Sequence, residues 1–258
     1  MSGAGPIHRE AAVGFGRSAD VYERARPSYP PEAVALLVRE LAIEPGATVV
    51  DLAAGTGKLT RLLVPTGAHL VAVEPLAAMR ERLEVAAPGV TVIEGTAERM
   101  RLDAASARVV LVAQAFHWFD AARATIEIAR VLEPGGGLGL IWNVRDESVP
   151  WVRELTRIME PYRGDTPTHR TRAWRRPLEA TGLFDPLHDR SFPYEQRMTT
   201  DQIVDRVLSV SFIAALPPDE RATVGEEVLA ALEADPDTRG SETLSMPYRT
   251  DVFWARRR

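Results

Sequence analysis

Thr48-Val-Val-Asp-Leu-Ala-Ala-Gly-Thr-Gly-Lys-Leu-Thr60 is the stretch from which the rest of this chain can be read. An apolar run ends in the carboxylate Asp51, then breaks into the turn Gly55-Thr-Gly57, where a helix opens. The next apolar run, Leu70-Val-Ala-Val, ends in a second acid, Glu74. Strand, glycine turn, helix, strand and acid describe a nucleoside-binding crevice at the carboxyl ends of parallel strands.

Spacing narrows the choice of nucleoside. A P-loop needs Gly, four residues, then Gly-Lys-Ser/Thr. Around Gly57-Lys58 the first glycine would fall on Leu52 and the hydroxyl on Leu59, so a phosphate cradle is excluded. A dinucleotide fingerprint needs a small third residue where helix and strand pack, and Thr60 stands there. Asp51 ahead of the turn would repel a pyrophosphate and attract a cationic, amine-bearing ligand.

Outward from this stretch the pattern is regular. Apolar runs at 48–52, 70–74, 90–94, 109–113 and 137–142 lack polar alternation, as strands buried on both faces do. Between them lie helical stretches at 57–65, 76–87 and 120–132, with a short turn at 97–100. Alternation of this kind predicts an α/β, doubly wound, Rossmann-like parallel sheet. Right-handed crossovers put all strand carboxyl ends on one side, gathering Asp51, Glu74, Gly95–Glu98 and Gln114–Trp118 along one rim. Before the core, a helix is expected from Phe15 to Arg26 and another from Pro31 to about Leu41. After Asn143 we expect helices at 151–162, 199–214 and 218–234, a strand within 184–196, and a last strand at 245–254. The expected organisation is a mobile tail (1–14), a cofactor-binding core with an N-terminal lid (15–145), and a C-terminal part (146–258) completing one folded unit.

Val49-Val-Asp-Leu-Ala-Ala-Gly-Thr-Gly57, Val71-Ala-Val-Glu-Pro75, Gly95-Thr-Ala-Glu98, Val110-Leu-Val-Ala-Gln-Ala-Phe-His-Trp-Phe119 and Leu132-Glu-Pro-Gly-Gly-Gly137 occur in this order. With these motifs the chain resembles the class I S-adenosylmethionine-dependent methyltransferases, in particular the type-11, trans-aconitate-methyltransferase-like group. The resemblance implies a seven-stranded sheet of order 3-2-1-4-5-7-6 with the last strand antiparallel and helical lid elements. It also implies S-adenosylmethionine as cofactor and methyl transfer to O, N or C of a small-molecule acceptor.

The candidate cofactor-binding residues are Asp51, Ala53, Gly55, Gly57, Glu74, Pro75, Thr96, Ala97, Glu98 and Gln114, with Tyr22 and Arg26 from the lid. Gly55 and Gly57 suit a close backbone approach, and a carboxylate such as Glu74 can accept both ribose hydroxyls. Glu98 reads equally as an adenine contact or as a helix-start acid. Tyr29, His117, Trp118 and Asn143 are the candidate acceptor-pocket residues. A neutral imidazole at His117 is the candidate general base, against the alternative of a structural hydrogen-bonder. The basic group Arg163, His169, Arg170, Arg172, Arg175, Arg176 reads as a solvated face or as an attractor of acidic substrates.

Bulk properties set outer limits. The 258 residues can bury a large core, and the net charge of −5 argues against general nucleic-acid or anionic-membrane binding. There is no cysteine, hence no disulfide or thiolate site, and the five histidines show no ligand spacing, so no metal is expected. Neither a leader pattern nor an apolar run of ~20 residues is seen, which makes the cytoplasm the expected location. Two other readings stay open: a nicotinamide-dependent oxidoreductase and a non-catalytic adenosylmethionine binder. Related folds can also turn the cofactor to cyclisation.

Overall fold

A computed structural model describes residues 26–258; the tail 1–14, the helix from Phe15 and Tyr22 lie outside the described residues. The first apolar runs form β1 (Thr48–Leu52), β2 (His69–Val73), β3 (Thr91–Ile93), β4 (Ala107–Ala113) and β5 (Leu132–Arg145), paired in parallel. Two further strands, β6 (His188–Thr199) and β7 (Thr243–Arg256), complete a seven-stranded sheet of order β3-β2-β1-β4-β5-β7-β6. β7 runs antiparallel to both of its neighbours.

Period-2 alternation divides the strand side chains between two apolar layers. Val49, Val109, Leu111, Ile141 and Val252 meet α1 (Pro31–Glu40) and α2 (Lys58–Leu63) on one face. Val50, Val110, Val112, Leu138, Leu140 and Phe253 meet α4 (Ala121–Val131) and α6 (Arg175–Ala180) on the other. α1 starts with Pro31 at its first position and buries Ala33, Val34, Leu36 and Leu37. Each large aliphatic side chain buried this way contributes about 1.5–3 kcal/mol. The close approach of α1 requires glycine opposite it. A Cβ on Gly139 would stand 2.5 Å from Leu111 Cδ2 and 2.9 Å from Leu37 Cδ2.

A separate apolar cluster joins α5 (Pro150–Met159), α7 (Thr200–Leu208) and α9 (Pro218–Ala234) to the far ends of β6 and β7. It holds α7 above the carboxyl ends of the central strands. α3 (Ala77–Ala86) covers β2 through Leu83 and Ala87.

Several expected boundaries shift. The helix read over 199–214 is two helices, α7 and the short α8 (Ser211–Ala214), because Val210 is extended at φ −66°, ψ 132°. Ser209 Oγ, 2.9 Å from Arg206 O, closes the last turn of α7. The strand read over 137–142 is longer at both ends, because Pro134-Gly135-Gly136 forms an irregularity within β5 instead of ending it; the register passes from Ala107↔Leu132 to Val109↔Gly137. The turn expected at 97–100 is a tight one closed by Thr96 and Arg99. Among the described residues no helix is long and apolar enough to cross a membrane.

Candidate functional site

The turn after β1 is built from left-handed backbone. Ala53 has φ 57°, Gly55 φ 57° and Gly57 φ 84°. Only glycine takes such values without strain, and a Cβ on Gly57 would also come within 2.9 Å of Leu83 Cγ. Glu74, at the tip of β2, holds this turn in place. Its Oε2 accepts from Gly55 N at 2.9 Å and its Oε1 accepts from Leu76 N at 2.9 Å. Arg80 braces the same tip, donating to the carbonyls of Glu74 (2.9 Å) and Pro75 (2.8 Å).

Asp51 lies behind the turn, 2% exposed, with Oδ2 accepting from Thr60 Oγ1 at 2.5 Å. Its Oδ1 is buried without a hydrogen-bond partner. Burial pushes the Asp51 carboxyl up to about 7; the Thr60 bonds oppose this and the nearby Glu74 charge adds to it. Glu74 is raised too, first by its own burial. The two acids are electrostatic neighbours, as their strand positions require. Neither lines the hollow above the turn. Through Gly55 and Thr60 the two carboxylates hold the turn that floors it.

That hollow is lined by Arg26, Tyr29, Ala53 to Thr56, Lys58 and Gln114 among others. Gln114 is itself in left-handed backbone at φ 60°, with its N–H donated to Ile141 O. The segment Thr96 to Glu98 lies outside this lining. Ala97 is packed into the core (4% exposed), the Thr96 hydroxyl is buried without a partner, and Glu98 accepts from Asp120 N at 3.1 Å. Glu98 thus ties the loop to the start of α4.

A second hollow of about 170 Å³ adjoins the first and shares Arg26, Gln114 and Arg206 with it. His117, Trp118, Asn143 and Trp142 line it as well. Asn143 has both amide atoms engaged, donating to Ser28 O (2.7 Å) and accepting from Thr250 Oγ1 (2.6 Å), so it shapes the wall. Tyr29 belongs to the first hollow, not the second, and is 6% exposed.

Charge distinguishes the second hollow. Among the described residues five guanidinium groups (Arg26, Arg145, Arg163, Arg170, Arg206) line it, against one carboxylate, Glu147. Glu147 is already taken: it holds Arg170 through both oxygens and accepts from Thr156 Oγ1 at 2.8 Å. Burial raises its carboxyl, but Arg170 and Thr156 leave it below the usual range. Arg206 is 7% exposed, with Nε and Nη1 buried and without partners. Burial, then the Arg206 and Arg26 charges, pull Arg145 down to about 9. An uncompensated, desolvated cation is costly unless an anion meets it.

Of the expected basic group, Arg163, His169 and Arg170 reach this hollow. Arg175 pairs with Glu179 at 2.7 Å and Arg172 sits over Phe253 at 5.4 Å, so neither joins them. Arg145 and Arg206 did not emerge from the sequence. A signal existed for Arg206, which shares the apolar stripe of α7 with Ile203 and Val207 at i−3 and i+1.

His117 does not have the surroundings of a general base. Its Nδ1 accepts from Trp142 Nε1 at 3.1 Å. Burial, then the charges of His169 and Arg26, push its pKa down to about 3. The proton-accepting nitrogen is engaged and the ring's affinity for a proton is low, which corrects the expectation of base catalysis.

Comparison with known proteins agrees with this architecture. Residues 50–140 match the family model described as a methyltransferase domain, type 11, which resolves no finer subgroup. The chain is 40% identical to "Uncharacterized methyltransferase Rv3342" of Mycobacterium tuberculosis over 94% of its own length and 95% of that protein's. It is 34% identical to "Uncharacterized methyltransferase-like C25B8.10" of Schizosaccharomyces pombe, over 90% and 91% of the two chains. The YcgJ protein of Bacillus subtilis superposes with a TM-score of 0.58 at 18% identity, covering 88% and 98%, a likeness of fold alone.

Proposed function

This chain belongs to the class I S-adenosylmethionine-dependent methyltransferases, and we propose that it methylates an acidic small molecule. The observation that carries the acceptor class is the second hollow, where Arg206 and Arg145 are buried and Arg206 Nε and Nη1 have no partner among the described residues. A carboxylate or phosphate there would receive the hydrogen bonds that Arg206 Nε and Nη1 lack, and planar forks suit such groups.

The first hollow fits the cofactor. Its floor is a turn of small residues in left-handed backbone, which lets a ligand approach the main chain closely. Lys58 and Arg26 supply cations on the side where a methionyl carboxylate would lie. Ala53, Gly55 and Gly57 would hold the nucleoside, with Glu74 and Pro75 at the edge toward β2. S-adenosylmethionine, when bound, supplies a methyl group on a positively charged sulfur that leaves as a neutral thioether.

The protein's own contribution is alignment. Arginines fix the acceptor's anionic end, the indole-lined wall excludes water, and Gln114 stands where the two hollows meet. Among the described residues of the second hollow Glu147 is ion-paired and His117 is occupied at Nδ1, which leaves His169, held at Nε2 by Asp251 (3.2 Å) with Nδ1 unpartnered, as the group able to accept a proton there if the acceptor requires a base. A nucleophile that arrives unprotonated, such as a carboxylate oxygen, needs none. The test is a screen of carboxylates, phosphates, amines and phenols, monitored by release of S-adenosylhomocysteine. Turnover confined to anionic compounds supports the proposal; turnover only with neutral or cationic ones rejects it.

A further inference from the structure

Trp142 carries an indole N–H that can only donate. It donates to His117 Nδ1, so that nitrogen holds a lone pair. The neutral imidazole must then carry its single proton on Nε2.

Trp142 is held rigidly. It is 1% exposed and stacked with His169 (centroids 4.1 Å apart, planes at 15°) and Trp174 (5.0 Å, 27°), with Phe253 edge-on at 5.9 Å. His117 is held from its own side by the short turn Phe116–Trp118, whose Phe116 is fully buried. A protonated ring would lose the indole bond, because Nδ1 would then be a second donor facing a donor. His169 and Arg26 also disfavour a cation there. Nε2 has no hydrogen-bond partner among the described residues, and the ring lines the second hollow.

We propose that Trp142 and His117 form a fixed donor pair: Trp142 is a positioning residue that obliges His117 to present Nε2–H to an anionic oxygen of the acceptor. The donor role rests on the acidic-acceptor reading above, whereas the tautomer does not. In this arrangement His117 orients the acceptor beside Arg206, and it neither takes nor gives a proton during methyl transfer. This adds specificity, because a cationic or donor-only group would meet a second donor.

The first test is long-range nitrogen–proton NMR on the full chain labelled with ¹⁵N-histidine. Nε2 should be the protonated nitrogen of His117 and stay so from about pH 5 to 8, the range over which an ordinary histidine titrates. A proton on Nδ1, or an imidazolium within that range, overturns the pair whatever the substrate proves to be. Citrate and inorganic phosphate, titrated separately into the same sample, should move the Nε2 signal. An Nε2 signal that neither anion moves overturns the donor role, even if the methyltransferase reading has failed for lack of turnover.

Kinetics on an accepted anion add a second criterion. His117→Leu should raise the acceptor KM on the order of ten- to hundredfold, leave kcat nearly unchanged, and keep the wild-type pH profile. His117→Gln, which retains an amide N–H, should recover most of that loss. Trp142→Phe should move KM in the same direction as His117→Leu and release the tautomer in the NMR spectrum. Equal loss of kcat in the Leu and Gln variants, with the acidic limb of the pH profile abolished, identifies a base and refutes the proposal.

Discussion

Asp51→Asn should make this protein more stable above neutral pH, the reverse of what loss of a native carboxylate usually does. The wild-type carboxyl is buried, bonded to Thr60 through one oxygen, and raised from the ordinary 3.8 to about 7. The folded state therefore binds a proton more tightly than the unfolded state. Between those two values the native chain retains a proton that the unfolded chain has released, so stability falls as pH rises. The contribution is fully present below 3.8 and has been lost once pH passes about 7. A rise of that size corresponds to about 4 kcal/mol at most. The amide is a neutral isostere that can still accept from Thr60, and its second polar atom replaces an oxygen that already lacks a partner. Urea unfolding of both proteins from pH 5 to 8.5 measures the effect. The difference in favour of the amide variant should grow with pH and level off near neutrality, reaching about 2–4 kcal/mol. A difference independent of pH, or an amide variant less stable than wild type at pH 8, refutes the assignment of a raised carboxyl.

Arg206→Met should raise the acceptor KM about ten- to hundredfold while increasing unfolding stability by about 1–3 kcal/mol, since a buried, unsatisfied guanidinium is replaced by an apolar chain; a destabilised variant contradicts this. Gly139→Ala should lower stability by about 1–3 kcal/mol through overpacking against Leu37 and Leu111, read as a fall in Tm with unchanged cofactor affinity at low temperature. Glu74→Ala should weaken S-adenosylhomocysteine binding by about 1–3 kcal/mol in calorimetry, because the Gly55 amide loses its anchor; an unchanged affinity removes Glu74 from the site.

The central sheet was legible because β1, β2 and β4 are covered on both faces, so each reads as an unbroken apolar run, and the glycine turn marks where the first ends. The order of the last strands came from family resemblance. β5 extended beyond its expected limits because proline and glycine ordinarily end elements, whereas Pro134 and Gly135 here occupy an irregularity within a strand. The break between α7 and α8 left no such marker, since Leu208-Ser-Val-Ser-Phe212 contains neither proline nor glycine. The placement of Asp51, Glu74 and Gln114 at the strand tips was readable from the ends of the apolar runs. Arg145 and Arg206 converge from elements far apart in sequence, and no local spacing signals that meeting. The His117–Trp142 bond is equally non-local, and the proton it fixes decides what His117 can do.

The most direct measurement of the account is calorimetric titration of the dialysed chain with S-adenosylhomocysteine, repeated with saturating NAD. Saturable binding that NAD leaves unaltered is the predicted result. Binding of NAD with no binding of S-adenosylhomocysteine would contradict the account at its root.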